Sequence, residues 1–193
     1  MRKLKVLGIN GSPRKGNTGI ALKTVMDVLD QEGFETEVCQ VGGRMLAGCL
    51  ACGWCSKNKV GRCVQDKDIV NEAIAKAVEA DAILLASPVY YADITTEMKA
   101  VVDRVGFVTR MNGGLLRRKV GAGIAVARRA GAIHAFDSLN HFFLINEMII
   151  PGSSYWNVLY GLEPGDVDGD MEGIETMKIL GVNMAWLLKK IHS

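Results

Sequence analysis

The sequence has 193 residues, of which 49% are hydrophobic and 23% are charged. This usage is typical of a globular protein and excludes a disordered or low-complexity chain. Lys and Arg number 23 against 21 Asp and Glu, and the resulting net charge of +2 gives no indication of a nucleic-acid or membrane-surface partner. The length predicts a single domain over residues 1–193.

The hydrophobic segments are too short to act as a secretory leader or to span a membrane. The apolar run within Met1–Asn10 is shorter than the core of a signal peptide. The richest later segment, Phe142–Ile150, is interrupted by Asn146 and Glu147. These features predict a cytoplasmic protein that does not insert into a membrane.

Short apolar runs alternate with segments of helical periodicity along the chain. Strands are predicted at 3–9, 34–41, 81–86, 120–127 and 148–150. Apolar residues at helical spacing predict helices around 22–29, 67–78, 98–105, 133–145 and 177–188. Five βα units with apolar strands predict an α/β fold, a parallel sheet covered on both faces in the doubly wound order 2-1-3-4-5. In that order, ligands bind at the loops after strands 1 and 3.

The loop after the first strand has the character of a phosphate site. Gly11–Thr18 has the G-x4-G-x-T outline of a P-loop, but Asn17 stands where a P-loop has lysine, which argues against ATP or GTP. The backbone N–H groups at this helix N-terminus, with the side chains of Ser12, Asn17 and Thr18, suit one terminal phosphate. Arg14 supplies positive charge for the same group. The alternative is a turn that only caps the helix.

Two further loops are expected at the same edge of the sheet. The segment Ser87–Thr95 places Tyr90 and Tyr91 where their flat faces can meet a planar ring, although they can equally cover the end of the strand. The segment Ala127–Gly131 is small and basic. One phosphate site and a place for one large ring together predict flavin mononucleotide (FMN).

Four of the five cysteines are concentrated in one loop after the second strand. Cys49, Cys52, Cys55 and Cys63 form a C-x2-C-x2-C-x7-C pattern, whose first three members match the ferredoxin spacing for a [4Fe–4S] cluster. A structural zinc usually uses two separated pairs, so zinc is the weaker alternative, and free thiols are weaker still. Cys39 is expected to be a buried apolar residue of strand 2.

Several of these motifs together resemble the NAD(P)H-dependent FMN reductase branch of the flavodoxin-like proteins, over nearly the whole chain. The motifs are Gly11–Arg14, Gly16–Thr18, Ser87–Tyr91 and the stretch from Met98–Lys99 to Asp103–Arg104. The resemblance implies that the FMN phosphate is bound by Ser12, Arg14, Asn17 and Thr18. It assigns the isoalloxazine ring to Pro88, Val89, Tyr90, Tyr91, Ala127, Arg128 and Arg129.

The cysteine loop, at about residues 44–66, makes the chain similar to the iron–sulfur flavoproteins within that branch. The segments Ile150–Trp156 and Gly181–Ala185 agree with this subgroup. The resemblance implies an electron-transfer flavoenzyme with FMN and one [4Fe–4S] cluster, in which the protein supplies no catalytic acid, base or nucleophile. It also implies a homodimer or homotetramer, with reduced ferredoxin or NAD(P)H as donor and small molecules as acceptors.

Two other functions remain open from the sequence. One is an NAD(P)H-dependent FMN or quinone reductase whose cysteine loop binds zinc or nothing. The other is a flavodoxin-like carrier that exchanges electrons with partners but has no turnover of its own.

Overall fold

The strands and helices alternate as the sequence predicts, except for an additional short helix, Trp54–Asn58, that was not predicted. The computed structural model of the protein describes residues 2–193. The strands are β1 (Lys5–Asn10), β2 (Glu35–Gln40), β3 (Ala82–Pro88), β4 (Val120–Ala127) and β5 (Val158–Tyr160). The α-helices are α1 (Asn17–Gln31), α2 (Trp54–Asn58), α3 (Val70–Glu79), α4 (Thr96–Met111), α5 (Ala132–Ile145) and α6 (Met171–Ile191).

The sheet is parallel throughout and has the order β2-β1-β3-β4-β5, which confirms the predicted order. Helices α1 and α6 cover one face, and α3, α4 and α5 cover the other. The side chains of adjacent residues in β1 lie on opposite faces of the sheet. Val6 packs with α1 and α6, whereas Leu7 packs with α3 and α4. Every residue of β3 and β4 is buried, as expected for central strands covered on both sides.

The position of the fifth strand differs from the prediction. Residues 148–150 make only a single bridge, between Ile149 and Val120 at the start of β4, whereas β5 is Val158–Tyr160 and pairs with the end of β4. The two segments therefore share one edge of the same strand. Pro151 explains the interruption, because proline has no N–H to donate to the ladder and the chain leaves the sheet there.

Among residues 2–193, no helix combines the length and the hydrophobicity that a bilayer crossing requires.

Candidate functional site

The loops after β1, β3 and β4 meet at the carboxyl edge of the sheet and enclose a cleft of about 80 Å³. Eight of the eleven residues predicted to bind FMN line it, namely Ser12, Arg14, Asn17, Thr18, Pro88, Val89, Tyr90 and Arg128. Tyr91, Ala127 and Arg129 do not. A fourth segment, which includes Gly161, Leu162 and Pro164 after β5, completes the wall. Sequence reasoning missed this segment because it placed the fifth strand too early in the chain.

The N-terminus of α1 presents unpaired donors to this cleft. Its N-cap is Gly16, which has no side chain to accept a hydrogen bond, and the first turn contains no acidic residue. The first N–H groups of a helix have no intrahelical partners, so those of Asn17 and Thr18 are available to an anion. Ser12 shapes the loop before the helix, since its Oγ accepts from the amide of Arg14 at 3.2 Å. Together with Arg14, this geometry fits a bound phosphate.

The side chain of Asn17 has a role that the sequence did not reveal. Its Nδ2 donates to the carbonyl oxygen of Glu163 at 2.9 Å, and its Oδ1 accepts from the amide of Gly165 at 2.8 Å. Asn17 therefore fixes the fourth wall segment to the start of α1. It remains at the cleft surface, where its backbone N–H is the part still free to meet a ligand.

The tyrosine loop after β3 forms a tight turn. The amide of Tyr90 donates to the carbonyl of Asp93 at 2.7 Å, and the amide of Asp93 donates back to Tyr90 at 3.1 Å. Tyr91 and Ala92 have φ values of 47° and 65°, so the turn depends on two non-glycine residues in the left-handed region. Tyr91 is fully exposed and Tyr90 is partly exposed at the rim of the cleft. Both rings are accessible to a ligand, but the turn orients only Tyr90 toward the cleft wall.

The four predicted cluster ligands line one second cavity, of about 250 Å³. Cys49 and Cys52 are exposed, Cys55 is half-buried and Cys63 is buried, and all are free thiols. The remaining lining is largely apolar and includes Phe107 of α4. The fold therefore places all four thiols around one cavity.

Four thiols around one largely apolar cavity are the donor set that a [4Fe–4S] cluster uses. Among residues 2–193, no three His, Cys, Asp or Glu side chains converge as ligands of one metal ion do. Burial raises the pKa of the Cys55 thiol, and the neighbouring Cys63 and Cys49 raise it further.

Two asparagines attach the cysteine loop to the helices. The side chain of Asn71, in α3, accepts from the amide of Cys63 at 2.8 Å and donates to its carbonyl at 3.0 Å. Asn112, which follows α4, accepts from the amide of Gly61 at 3.0 Å and donates to the carbonyl of Cys55 at 3.3 Å. These side chains hold the last two cysteines in place. The sequence offered no signal for them, because an asparagine near a helix end has many possible partners.

The two sites are connected through the end of β2. Gln40 donates from Nε2 to the carbonyl of Ser12 at 2.8 Å. Gly42 lies so close to this loop that an added Cβ would be 2.2 Å from the carbonyl carbon of Ser12. The chain that enters the cysteine loop thus passes directly against the proposed phosphate loop, and only glycine permits that approach.

Comparison with known proteins agrees with this geometry. Residues 4–162 match the NADPH-dependent FMN reductase family. An iron–sulfur flavoprotein of Methanocaldococcus jannaschii is 35% identical over 97% of this chain and 99% of the relative.

Two solved structures share the fold at lower identity. RosB, solved with bound 8-demethyl-8-formylriboflavin-5′-phosphate, has a TM-score of 0.76 at 19% identity and covers 98% of this chain and 80% of its own. A WrbA-like flavodoxin protein from Agrobacterium tumefaciens has a TM-score of 0.68 at 13% identity, covering 98% of this chain and 99% of its own. These similarities establish a flavodoxin-like fold.

Proposed function

The chain belongs to the iron–sulfur flavoproteins of the NADPH-dependent FMN reductase family, and on this basis we propose that it is a redox protein that binds FMN and one [4Fe–4S] cluster. The observation that carries the proposal is the cavity lined by all four cysteines of the C-x2-C-x2-C-x7-C pattern. A flavin reductase or a simple flavodoxin has no need of such a cavity.

The chain's own residues would hold FMN at the carboxyl edge of the sheet. The free N–H groups of Asn17 and Thr18, with Arg14, suit the phosphate, and Arg128 adds a second positive charge to the same cleft. The cleft of about 80 Å³ accommodates the phosphate end, so the ring would lie over the rim beside Tyr90. RosB, with the same fold, was solved with a riboflavin-5′-phosphate derivative.

The cysteine cavity would hold the cluster next to the flavin loop. FMN exchanges one or two electrons and a [4Fe–4S] cluster exchanges one. Together they would couple two-electron hydride transfer to single-electron transfer. The described residues of the two sites supply binding, orientation and charge. We propose reduced ferredoxin or NAD(P)H as donor, a small-molecule acceptor, and a homodimer or homotetramer as the assembly.

The test begins with anaerobic purification, followed by an absorption spectrum and analysis of iron, acid-labile sulfide and FMN. The proposal expects flavin together with about four irons per chain. Cys55→Ser is expected to lose iron and sulfide and to keep FMN, because serine is a poor ligand for this iron and Cys55 does not line the FMN cleft. Cys39→Ala is the matched control, since Cys39 lies in β2 outside the cysteine cavity. It is expected to keep both cofactors.

Two results would contradict this assignment. Full iron and sulfide in Cys55→Ser would remove that residue from the ligand set. FMN without iron or sulfide in the unaltered protein would favour a reductase or carrier without a cluster. Steady-state turnover with NAD(P)H and a quinone would then separate a reductase from a carrier.

A further inference from the structure

A buried charge stands beside the cysteine cavity. Arg104, in α4, has a side chain with no exposed surface, and it forms an ion pair with Asp68, whose side chain is also buried. Its Nη1 donates to the carbonyl of Ala47 at 3.0 Å, and its Nη2 donates to the carbonyl of Gln65 at 2.8 Å. These carbonyls lie two residues before the first cluster cysteine and two residues after the last. One guanidinium therefore joins both ends of the cysteine segment.

One donor of this guanidinium is buried and unsatisfied. Nε of Arg104 is fully buried and has no hydrogen-bond partner. A buried donor without a partner costs free energy, and the cost is larger on a charged group. Arg104 also lines the cavity together with the four cysteines. The orphan donor thus belongs to a side chain that borders the cavity where a cluster would supply sulfur atoms as acceptors.

Cys63 is the cysteine most closely associated with this side chain. Its thiol contributes to the electrostatic environment of the guanidinium. An arginine side chain is always charged, and its planar fork lets it bond to several groups at once. A lysine in the same place has one nitrogen and would not reach both carbonyls, the carboxylate and a sulfur.

We infer that Arg104 is a positioning residue for the cluster, which closes the cysteine segment and directs its Nε–H to a sulfur atom of the bound group. This inference rests on the proposed function. Hydrogen bonds to the sulfurs and nearby positive charge stabilise the reduced, more negative form of a cluster. Arg104 therefore raises the reduction potential, while Asp68, of opposite charge, lowers it.

The test compares midpoint potentials of the anaerobically purified protein with those of Asp68→Asn and of the double variant Arg104→Gln/Asp68→Asn. The double variant leaves no unpaired buried charge, so it is expected to cost less stability than removal of Arg104 alone. Each potential is measured by redox titration followed by electron paramagnetic resonance, with iron and FMN content determined on the same samples. Asp68→Asn is expected to shift the potential upward. The double variant is expected to lie below Asp68→Asn by at least a tenfold change in the reduction equilibrium, or about 59 mV for one electron.

A purely structural role would give a different result, because loss of loop closure changes cluster content and leaves the potential of the retained cluster unaltered. Equal potentials in Asp68→Asn and the double variant would overturn the inference. If the double variant retains no cluster, Arg104→Lys provides the same readout, and a wild-type potential there would overturn the inference. Absence of iron from the unaltered protein would instead refute the proposed function, and this inference with it.

Discussion

Replacement of Asn17 separates two effects that the sequence could not distinguish. Asn17→Asp places a negative charge in the cleft and removes the Nδ2 donor to the Glu163 carbonyl, while retaining an acceptor for the Gly165 amide. Asn17→Ala removes both hydrogen bonds and adds no charge. The first substitution acts on the proposed phosphate, and the second acts on the attachment of the wall segment.

The expected magnitudes follow from these contacts. Loss of two hydrogen bonds in Asn17→Ala costs about 1–3 kcal/mol of stability. In Asn17→Asp, loss of one bond is partly offset by a carboxylate in the first turn of α1, which contributes about 0.3–1 kcal/mol. Against a bound phosphate the same charge weakens FMN binding by about 1.5–3 kcal/mol, or roughly tenfold to a hundredfold. The aspartate variant is therefore expected to be the more stable of the two and the weaker in FMN binding.

Two measurements on flavin-free protein test whether the more stable of the two variants is also the weaker in FMN binding. Urea denaturation gives the free energy of unfolding, and quenching of FMN fluorescence gives the dissociation constant. Asn183→Asp is the matched control, because Asn183 also donates one hydrogen bond, to the carbonyl of Gly152 at 2.9 Å, and lies outside the cleft. It is expected to leave FMN affinity unchanged. Equal loss of affinity in Asn17→Asp and Asn17→Ala would refute a phosphate at this helix N-terminus.

Two further predictions concern stability. Gly42→Ala forces a methyl group against the backbone of Ser12. It is expected to lower the free energy of unfolding by about 1–3 kcal/mol, measured by urea denaturation, and to weaken FMN binding. Gly169→Ala, whose added methyl group meets open space, is expected to change neither quantity, and equal effects of the two substitutions would contradict the close approach at Gly42. Burial opposes ionisation of Asp81, but the hydrogen bonds from Arg2 and the Lys5 amide, together with nearby positive charge, outweigh it and keep the pKa of Asp81 below its usual value. The ionised carboxylate therefore stabilises the fold above about pH 4, and this contribution is lost as the pH falls through the lowered pKa. In Asp81→Asn, the free energy of unfolding is expected to fall less steeply between about pH 5 and pH 2 than in the unaltered protein. The same decline in both proteins would exclude a stabilising role for the ionised Asp81.

The sequence alone determined the features that depend on neighbouring residues. Apolar runs and helical spacing predicted the element types, and the handedness of βα units predicted the sheet order. The spacing of Cys49, Cys52 and Cys55 predicted that these thiols share one cavity, since residues three apart in a compact loop remain close. Eight of the eleven predicted flavin residues meet at one cleft because the carboxyl ends of parallel strands share an edge.

Tertiary structure decided the features in which distant segments compete for the same partner. Both 148–150 and 158–160 are apolar enough to be a strand, and pairing with the end of β4 selects the second. Asn17 bonds to residues almost 150 positions away, and Arg104 to carbonyls 57 and 39 positions away. Such pairings depend on which buried polar groups the folded chain leaves unsatisfied. Local patterns of hydrophobicity do not reveal these distant partners, because each of these side chains has an ordinary local role available within its own helix.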